Sequence, residues 1–417
     1  VGDQAGLRVT TGKENTLIGG RAGDALTDAD FNTAVGQEAL STDTLGSRSI
    51  AIGWGALRVQ NFTTATDTYN VAVGNLAGTA VSTGIQNTLI GGLVADNLTT
   101  GKNNVAVGYQ ALETEDTGDR SVAIGSFTLK TQNNDADNYN TAVGYAAGLS
   151  ITTGTANVLM GGLSGDAITT GLNNVAMGHT SLGATTTGAS NVAIGADALA
   201  ANTTASNNTA VGKSALLANT TGADNTAVGA TALDANTTGT ENTAVGALSL
   251  DACTTGNNNT AMGHNSLSTN ILSDHNVAIG NDALATHNRD GSVDAYNVAV
   301  GSGAGTSVTT GIQNTFIGGN SGDGTDDGGF NTSVGYNSLS ANCGNQNSAL
   351  GENALAQTTG ATNTAIGAAA GFQVTSGSNN ILVGTDAGRT GSPGGAITTG
   401  SNEIVLGDEN ISEAHIQ

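Results

Sequence analysis

The chain has 417 residues, with 34 Asp and Glu against 11 Lys and Arg, for a formal net charge of −23. Such a field repels nucleic acid and anionic membrane, and keeps long molecules from adhering side to side. With 63 glycines, one proline, 3% aromatic and 11% charged residues, the composition excludes collagen, a large aromatic core, and a disordered or coiled-coil chain.

A five-residue phrase, Asn-(Thr/Val)-(Ala/Leu)-(Val/Ile/Met)-Gly, recurs along the whole chain. It closes on 24 glycines from Gly2 to Gly407. The common spacing is that of Gly212, Gly229 and Gly246, seventeen positions, and only six intervals depart from it. A unit this short is one coil of a solenoid and cannot be a domain. Residues 1–407 are therefore expected to form one elongated repeat domain, and 408–417 a C-terminal neck. The chain opens inside a repeat, at Val1-Gly2, and reads as a segment of a longer polypeptide. It contains no run apolar enough to cross a membrane, so no membrane insertion is expected.

Within a coil the closing glycine is taken as position 0. Strand alternation puts −3 and −1 on one face and −2 on the other. All three are apolar or Thr, so both faces are expected to be covered. The Ala-Leu pair at +3 and +4, as in Ala39-Leu40 and Ala198-Leu199, supplies a second inward pair. Asn-Thr-Thr-Gly, as in Asn219 to Gly222, is turn chemistry. A coil is thus expected to have two short strands and two turns. In-register stacking places identical residues above one another, so the Asn at −4 forms a ladder along the axis. Asn32, Asn87, Asn191, Asn225 and Asn242 are assigned that role, with their closing glycines Gly36, Gly91, Gly195, Gly229 and Gly246.

Ordering one such coil costs roughly 25 kcal/mol, which takes about 1,000 Å² of apolar burial to offset. Five small side chains supply only about half of that. A symmetric homo-oligomer is the economical answer, and the small Ala at −2 looks suited to chain-to-chain contact.

In chain order, most coils carry Leu at +4, but Gly6, Gly78, Gly148, Gly305 and Gly371 replace it. A coil ending in Gly-Gly often follows, as at Gly19-Gly20, Gly91-Gly92, Gly161-Gly162 and Gly318-Gly319. This looks like duplication of a four-coil module followed by repeat slippage. Three lengthened intervals end alike, in Asp67-Thr68-Tyr69-Asn70, Asp137-Asn138-Tyr139-Asn140 and Asp294-Ala295-Tyr296-Asn297. Tyr69, Tyr139 and Tyr296 are recognition knobs or, as the favoured reading, plugs over the longer turn. Position +1 carries Trp54, Tyr109, Tyr145, Tyr336, His179 and His264, a sparse row that could stack on sugar rings or fill a subunit groove.

No catalytic or metal motif is found. The five histidines, including His415, have no ligand spacing, and no nucleophile elbow, Walker loop or zincin motif occurs. Cys253 and Cys343 are too far apart to pair within one chain and are expected to be free. Asp323, Asp326 and Asp327 are the one place where turn carboxylates suit Ca²⁺, without the nonapeptide calcium-binding pattern; otherwise no cofactor is expected. Repeated Thr-Thr pairs raise ice binding as a remote alternative, but only one Thr of each pair could join a flat array.

The phrase Asn191-Val192-Ala193-Ile194-Gly195 resembles the head repeats of trimeric autotransporter adhesins, which are left-handed parallel β-rolls of three chains. Their repeat is typically shorter than the one here, so this chain departs in turn length. The Asn-Thr-Thr-Gly spacer joined to Asn-Thr-Ala-Val-Gly resembles the repeat shafts of bacteriophage tail fibres. The ending, Ser401 to Asp408 and then Ala414-His415-Ile416-Gln417, is similar to the neck before an endosialidase-type intramolecular chaperone domain. The resemblance implies an all-β, left-handed parallel β-solenoid of about 24 coils in a homotrimeric fibre. It implies a non-enzymatic shaft of a tail fibre or virion appendage, joined to other virion proteins at its ends. It also implies support of host attachment and contact with host surface glycans along the side. The alternative is a bacterial trimeric surface adhesin or extracellular filament subunit.

Overall fold

The computed structural model describes residues 1–289, 291, 294–392, 394–408 and 410–411. Among them there is no helix. Two units, Val1–Asn207 and Asn208–Gln417, are each a parallel β-solenoid. The first stacks 11 three-residue strands, from Thr16–Ile18 to Val192–Ile194, and the second stacks 12, from Thr209–Val211 to Ile404–Leu406. The first repeat, Val1-Gly2, carries no strand, although the Val1 carbonyl accepts the Gly19 N–H at 2.8 Å.

Each coil contributes one strand, not the two expected from the repeat. Among the described residues only Gly46–Ser47 and Thr66–Asp67 add a second, two-residue strand pair, with single bridges at Asp119–Asp137 and Asp274–Asp294. The coil closing at Gly178 shows what replaces the other strand. Its strand Val175–Met177 pairs in parallel register with both neighbours: Val175 opposes Val158 and Val192, and Met177 opposes Met160 and Ile194. The rest of the coil runs through turns in which three non-glycine residues are left-handed: Asn173 (φ 58°), Thr180 (φ 55°) and Leu182 (φ 53°). These kinks aim successive backbone donors at alternate neighbours. Asn173 N and Thr180 N donate to Thr155 O and Gly162 O of the coil before, whereas Leu182 N donates to Ala198 O of the coil after. The backbone between strands is thereby satisfied coil to coil, as buried N–H groups require. Left-handed geometry at +4 also explains why that position, from Gly6 through Gly388, is Leu, Gly or Ala and not Val, Ile or Thr. β-Branched residues resist that geometry most.

The two strand faces are unequal within one chain: the coil itself covers only one of the two faces expected to be covered. Position −2 points inward: Ala142, Ala176, Ala193 and their counterparts from Ala34 to Leu382 are buried with the +3 and +4 pair, such as Ala198 and Leu199, and only Leu17 at −2 of the first strand is half-buried. The Ala at −2 is therefore core and makes no chain-to-chain contact. Positions −3 and −1 point outward and are half-buried or exposed. The repeat is too thin to bury both sides of a three-residue strand within one chain.

Core volume is conserved by a swap that the periodicity conceals. Each large residue at −2 sits between two small residues at +4. Leu17 lies between Gly6 and Gly23, Leu89 between Gly78 and Ala95, and Leu159 between Gly148 and Gly165. Phe316 lies between Gly305 and Gly322, and Leu382 between Gly371 and Gly388. A Cβ on Gly78 would lie 2.5 Å from Leu89 Cδ1, and one on Gly148 would lie 2.8 Å from Leu159 Cδ1. The glycine is the space the larger residue occupies.

The Asn at −4 is fully buried in coil after coil. Asn174 N donates to Asn157 Oδ1 at 3.0 Å, and Asn174 Nδ2 donates to Gly188 O at 2.9 Å. Asn191 N in turn donates to Asn174 Oδ1 at 3.0 Å. The same bonds recur at Asn32, Asn87, Asn225 and Asn242. Gly178 at position 0 has φ 141°, and a Cβ there would sit 2.5 Å from the Gly195 carbonyl oxygen.

Two substitutions test this arrangement in thermal or denaturant unfolding. Asn174→Ala leaves the Asn191 N–H and the Gly188 carbonyl buried without partners and should cost about 2–4 kcal/mol. Gly178→Ala should cost at least as much, because its clash is with backbone that cannot rotate away. A loss below about 0.5 kcal/mol for either would show that the rung does not hold neighbouring coils together.

Candidate functional site

In each unit the strands place an apolar stripe at solvent, made of the −1 side chains with Val or Thr at −3. In the first unit Ile18, Ile52, Ile90, Ile124, Met160, Met177 and Ile194 are 36–46% exposed. The second unit repeats the pattern with Val228, Met262, Ile279, Ile317, Leu350 and Ile366 among others. Along Thr332, Val334, Leu350, Thr364 and Ile366 the stripe dips into a shallow apolar trough of about 210 Å³. Monomeric proteins rarely expose a contiguous apolar surface beyond a few hundred Å².

The aromatic row at +1 is exposed, but only part of it comes together. Trp54, Tyr109, Tyr145 and Tyr336 are all at least 44% exposed. Phe127, at +2, joins Tyr109 and Tyr145 into an edge-to-face stack over successive coils, with centroids 5.6 and 5.9 Å apart. Lys130 lies 5.2 Å from the Phe127 ring and pairs with Glu113 at 3.2 Å. Among the described residues no ring contact links Trp54 or Tyr336 to another aromatic.

Tyr69, Tyr139 and Tyr296 are not plugs. Each is about half exposed and left-handed, at position −5 of its coil. Each stacks on a residue at −5 of the preceding coil, which also binds the Asp two residues before the Tyr. Arg48 is held between Phe31 (4.7 Å) and Tyr69 (5.9 Å) and pairs with Asp67 at 3.0 Å. Arg120 lies 5.6 Å from the Tyr139 ring and pairs with Asp137. His275 stacks on Tyr296 at 5.0 Å, and its Nδ1 meets Asp294 at 2.8 Å. The hydrogen bond to Asp294 and its charge hold the Tyr296 phenol above its ordinary value. The sequence marked the Asp and Tyr of these clusters but missed the cations. Their shared position, −5 of the coil before each long turn, is the signal that finds them.

Beneath two of these turns lie buried carboxylates that sequence reasoning also missed. Asp43 and Glu115, both at +7, are fully buried. Asp43 accepts from Gly46 N (3.1 Å), Gln60 Nε2 (2.6 Å) and Phe62 N (3.0 Å). Glu115 accepts from Gly118 N (2.8 Å), Gln132 Nε2 (2.9 Å) and Asn138 Nδ2 (3.1 Å). Gln60 and Gln132 then accept from Asn70 and Asn140, tying turn to rung. Under the third turn His287 occupies the glutamine position, fully buried, with no hydrogen-bond partner on either ring nitrogen among the described residues. Burial, then the nearby Arg289 charge, lowers its pKa to about 4 against a weak pull from the Thr309 backbone.

Asp323 is half-buried and raised above its ordinary value by desolvation. Asp326 accepts the Thr309 hydroxyl, and Asp327 is exposed. Among the described residues no group of three His, Cys, Asp or Glu is placed to hold a metal. Cys253 and Cys343 are free and buried, and burial pushes the Cys253 thiol up to about 12. His415 and most of the segment 408–417 lie outside the described residues.

His287 makes the third turn sensitive to acid. Unfolded, it titrates near 6.5; folded, near 4. Between those values only the unfolded chain holds the proton, so stability is full above pH 6.5 and falls toward pH 4. The loss is at most about 3 kcal/mol, at about 1.4 kcal/mol per unit. His287→Gln, the residue used at positions 60 and 132, should flatten the difference in stability measured at pH 7 and pH 4.5. An unchanged difference would place the acid sensitivity elsewhere.

The sequence matches no family model and no curated protein.

Proposed function

We propose that the chain is a non-enzymatic shaft of a tail fibre or similar virion appendage, built from three parallel copies and supporting host attachment. The single observation that carries this reading is the outward apolar stripe. At roughly 100 Å² per coil, the 11 stacked strands of the first unit offer on the order of 1,000 Å² per copy, above the ~800 Å² per partner of a stable interface. Burying it is worth about 25 kcal/mol gross, against an association cost of roughly 4–15 kcal/mol.

The strip is only three residues wide, about 10 Å. Two such strips face to face leave both long edges wet, whereas three close around a shared axis. Parallel copies put identical side chains at each level, so Ile meets Ile and Met meets Met. Closed cyclic symmetry limits the assembly, and the net charge opposes further lateral growth. The shaft's role is mechanical. Exposed aromatics such as Trp54 and the Tyr109–Phe127–Tyr145 stack, presented three times over, would add weak contacts with surface glycans through avidity.

Sedimentation equilibrium or native mass spectrometry at micromolar concentration should give three times the chain mass. Ile124→Asp, Met160→Asp and Ile194→Asp together place charges in the shared core and should dissociate the copies. A single-chain mass for the unaltered protein would sink the proposal.

A further inference from the structure

Turn length departs from the repeat on both sides of a pair of standard coils in the second unit. The interval from Gly280 to Gly301 is longer than the repeat by four positions. Those from Gly335 to Gly351 and from Gly351 to Gly367 are each shorter by one. Between the long turn and the short ones lies a groove of about 460 Å³. Arg289 comes from the long turn and Asn345 from the first short one. Ile312, Gly329 and Phe330 lie between them, with Thr310 and Asp327 alongside.

Three features of this groove are left unsatisfied by the described residues of the chain. The first is a backbone donor. At position −6 many coils carry a side chain that accepts the −6 N–H of the coil before. Asp30 takes Lys13 N at 2.6 Å, Asp119 takes Lys102 N at 2.7 Å, and Asn257 takes Thr240 N at 2.9 Å. At Gly329 that side chain is missing, and the Ile312 N–H has no acceptor among the described residues. A Cβ on Gly329 would stand 3.0 Å from Ile312 O and 3.6 Å from Ile312 N, so the missing group belongs in the groove.

The second is a cation. Seven of the eleven Lys and Arg form ion pairs among the described residues, and Arg289 is not one of them. Arg289 shares the groove with Asp327, yet no ion pair joins it to a described carboxylate, so its guanidinium is open to a ligand in the groove. The third is an aromatic face. Phe330 is 50% exposed and, unlike Phe31 beneath Arg48, has no stacking partner among the described residues.

We propose that this groove binds a sugar carrying a carboxylate, such as a uronic acid unit of a surface polysaccharide. The carboxylate is recognised by the Arg289 guanidinium, whose planar fork suits two oxygens, and by the Ile312 N–H. The apolar face of the sugar ring packs on Phe330. Asn345 is already oriented, because its Oδ1 accepts the Gly329 N–H at 2.8 Å, which leaves its Nδ2 to donate to a ring hydroxyl. Thr310 and the exposed Asp327 carboxylate supply further hydroxyl partners. The proposal rests on the attachment reading only for the source of the sugar.

Titration calorimetry of the intact assembly with a glucuronic-acid disaccharide, and with the same disaccharide after reduction of its carboxyl, tests it. The acid should bind at least tenfold tighter than the alcohol. Arg289→Gln should erase that difference, and Phe330→Ala should weaken both sugars. Gly329→Asp places in the groove the side chain that other coils carry there; it should abolish acid binding while melting stays unchanged. Equal binding of the two sugars, no binding of either, or undiminished binding to Gly329→Asp would overturn the site. Assembly mass, measured alongside, separates the two readings. A trimer that binds no acidic sugar removes the site alone, and a single chain that binds it removes the shaft alone.

Discussion

The fold depends on one constraint: each coil must satisfy the buried polar groups of its neighbours, and only an identical coil can. Asn174 accepts from the backbone of Asn191 while its own amide donates to Gly188 O, and its backbone donates to Asn157. None of these partners lies in its own coil. Gly178 belongs to the same constraint, because the carbonyl of Gly195 occupies the place of a side chain. A coil alone would leave buried donors and acceptors unpaired, at about 1–3 kcal/mol each. Register is thus set by polar satisfaction, and the apolar residues are free to vary in size.

That freedom is used. Leu at +4 and Leu or Phe at −2 are interchangeable as long as the neighbouring position shrinks, as Gly305 does for Phe316. The swap also rationalises the alternating coil types without appeal to ancestry: a Gly-type coil and its successor form a packing pair. Left-handed backbone at −5, +2 and +4 limits the menu further. It costs about 1–2 kcal/mol at each non-glycine residue and is sustained by the coil-to-coil hydrogen bonds that it makes possible.

Much of this was legible in the regular spacing of the repeat. A short unit with Asn and Gly at fixed places reads as a stacked rung, and Ala39-Leu40 reads as core. Three things were not legible. Alternation cannot say which strand face is inside, and the two small-residue classes, Ala at −2 and Val or Thr at −3, look equally suited to contact. The second strand was misread because Ala-Leu looks extended in sequence, whereas Leu182 at φ 53° is left-handed and a turn. The cation clusters were missed because Arg120 and Tyr139 lie two positions further apart than one repeat. That separation carries no signal until the coil is known to be lengthened there.

Where such a molecule can hold a specific site follows from the same constraint. Every residue in a coil of standard length faces a copy of its own position above and below, so a site built there would be repeated along the stack and would be shallow. A distinct site needs a place where the register of the surface changes while the rung continues. The sequence offers few: the long turns before Asn70, Asn140 and Asn297, the one between Asn380 and Glu403, and the short ones at Asn347 and Asn363. Three of the long turns close on themselves, with Arg48, Arg120 and His275 each paired to an Asp and stacked on a Tyr. Arg289, within the third of those turns, and Phe330, which lines the same groove, stand without such partners among the described residues, near a turn one position short of the repeat. In a repetitive surface, an unmatched cation and an unmatched ring at a step in the register are the features that stacking does not explain, and recognition of a ligand accounts for both.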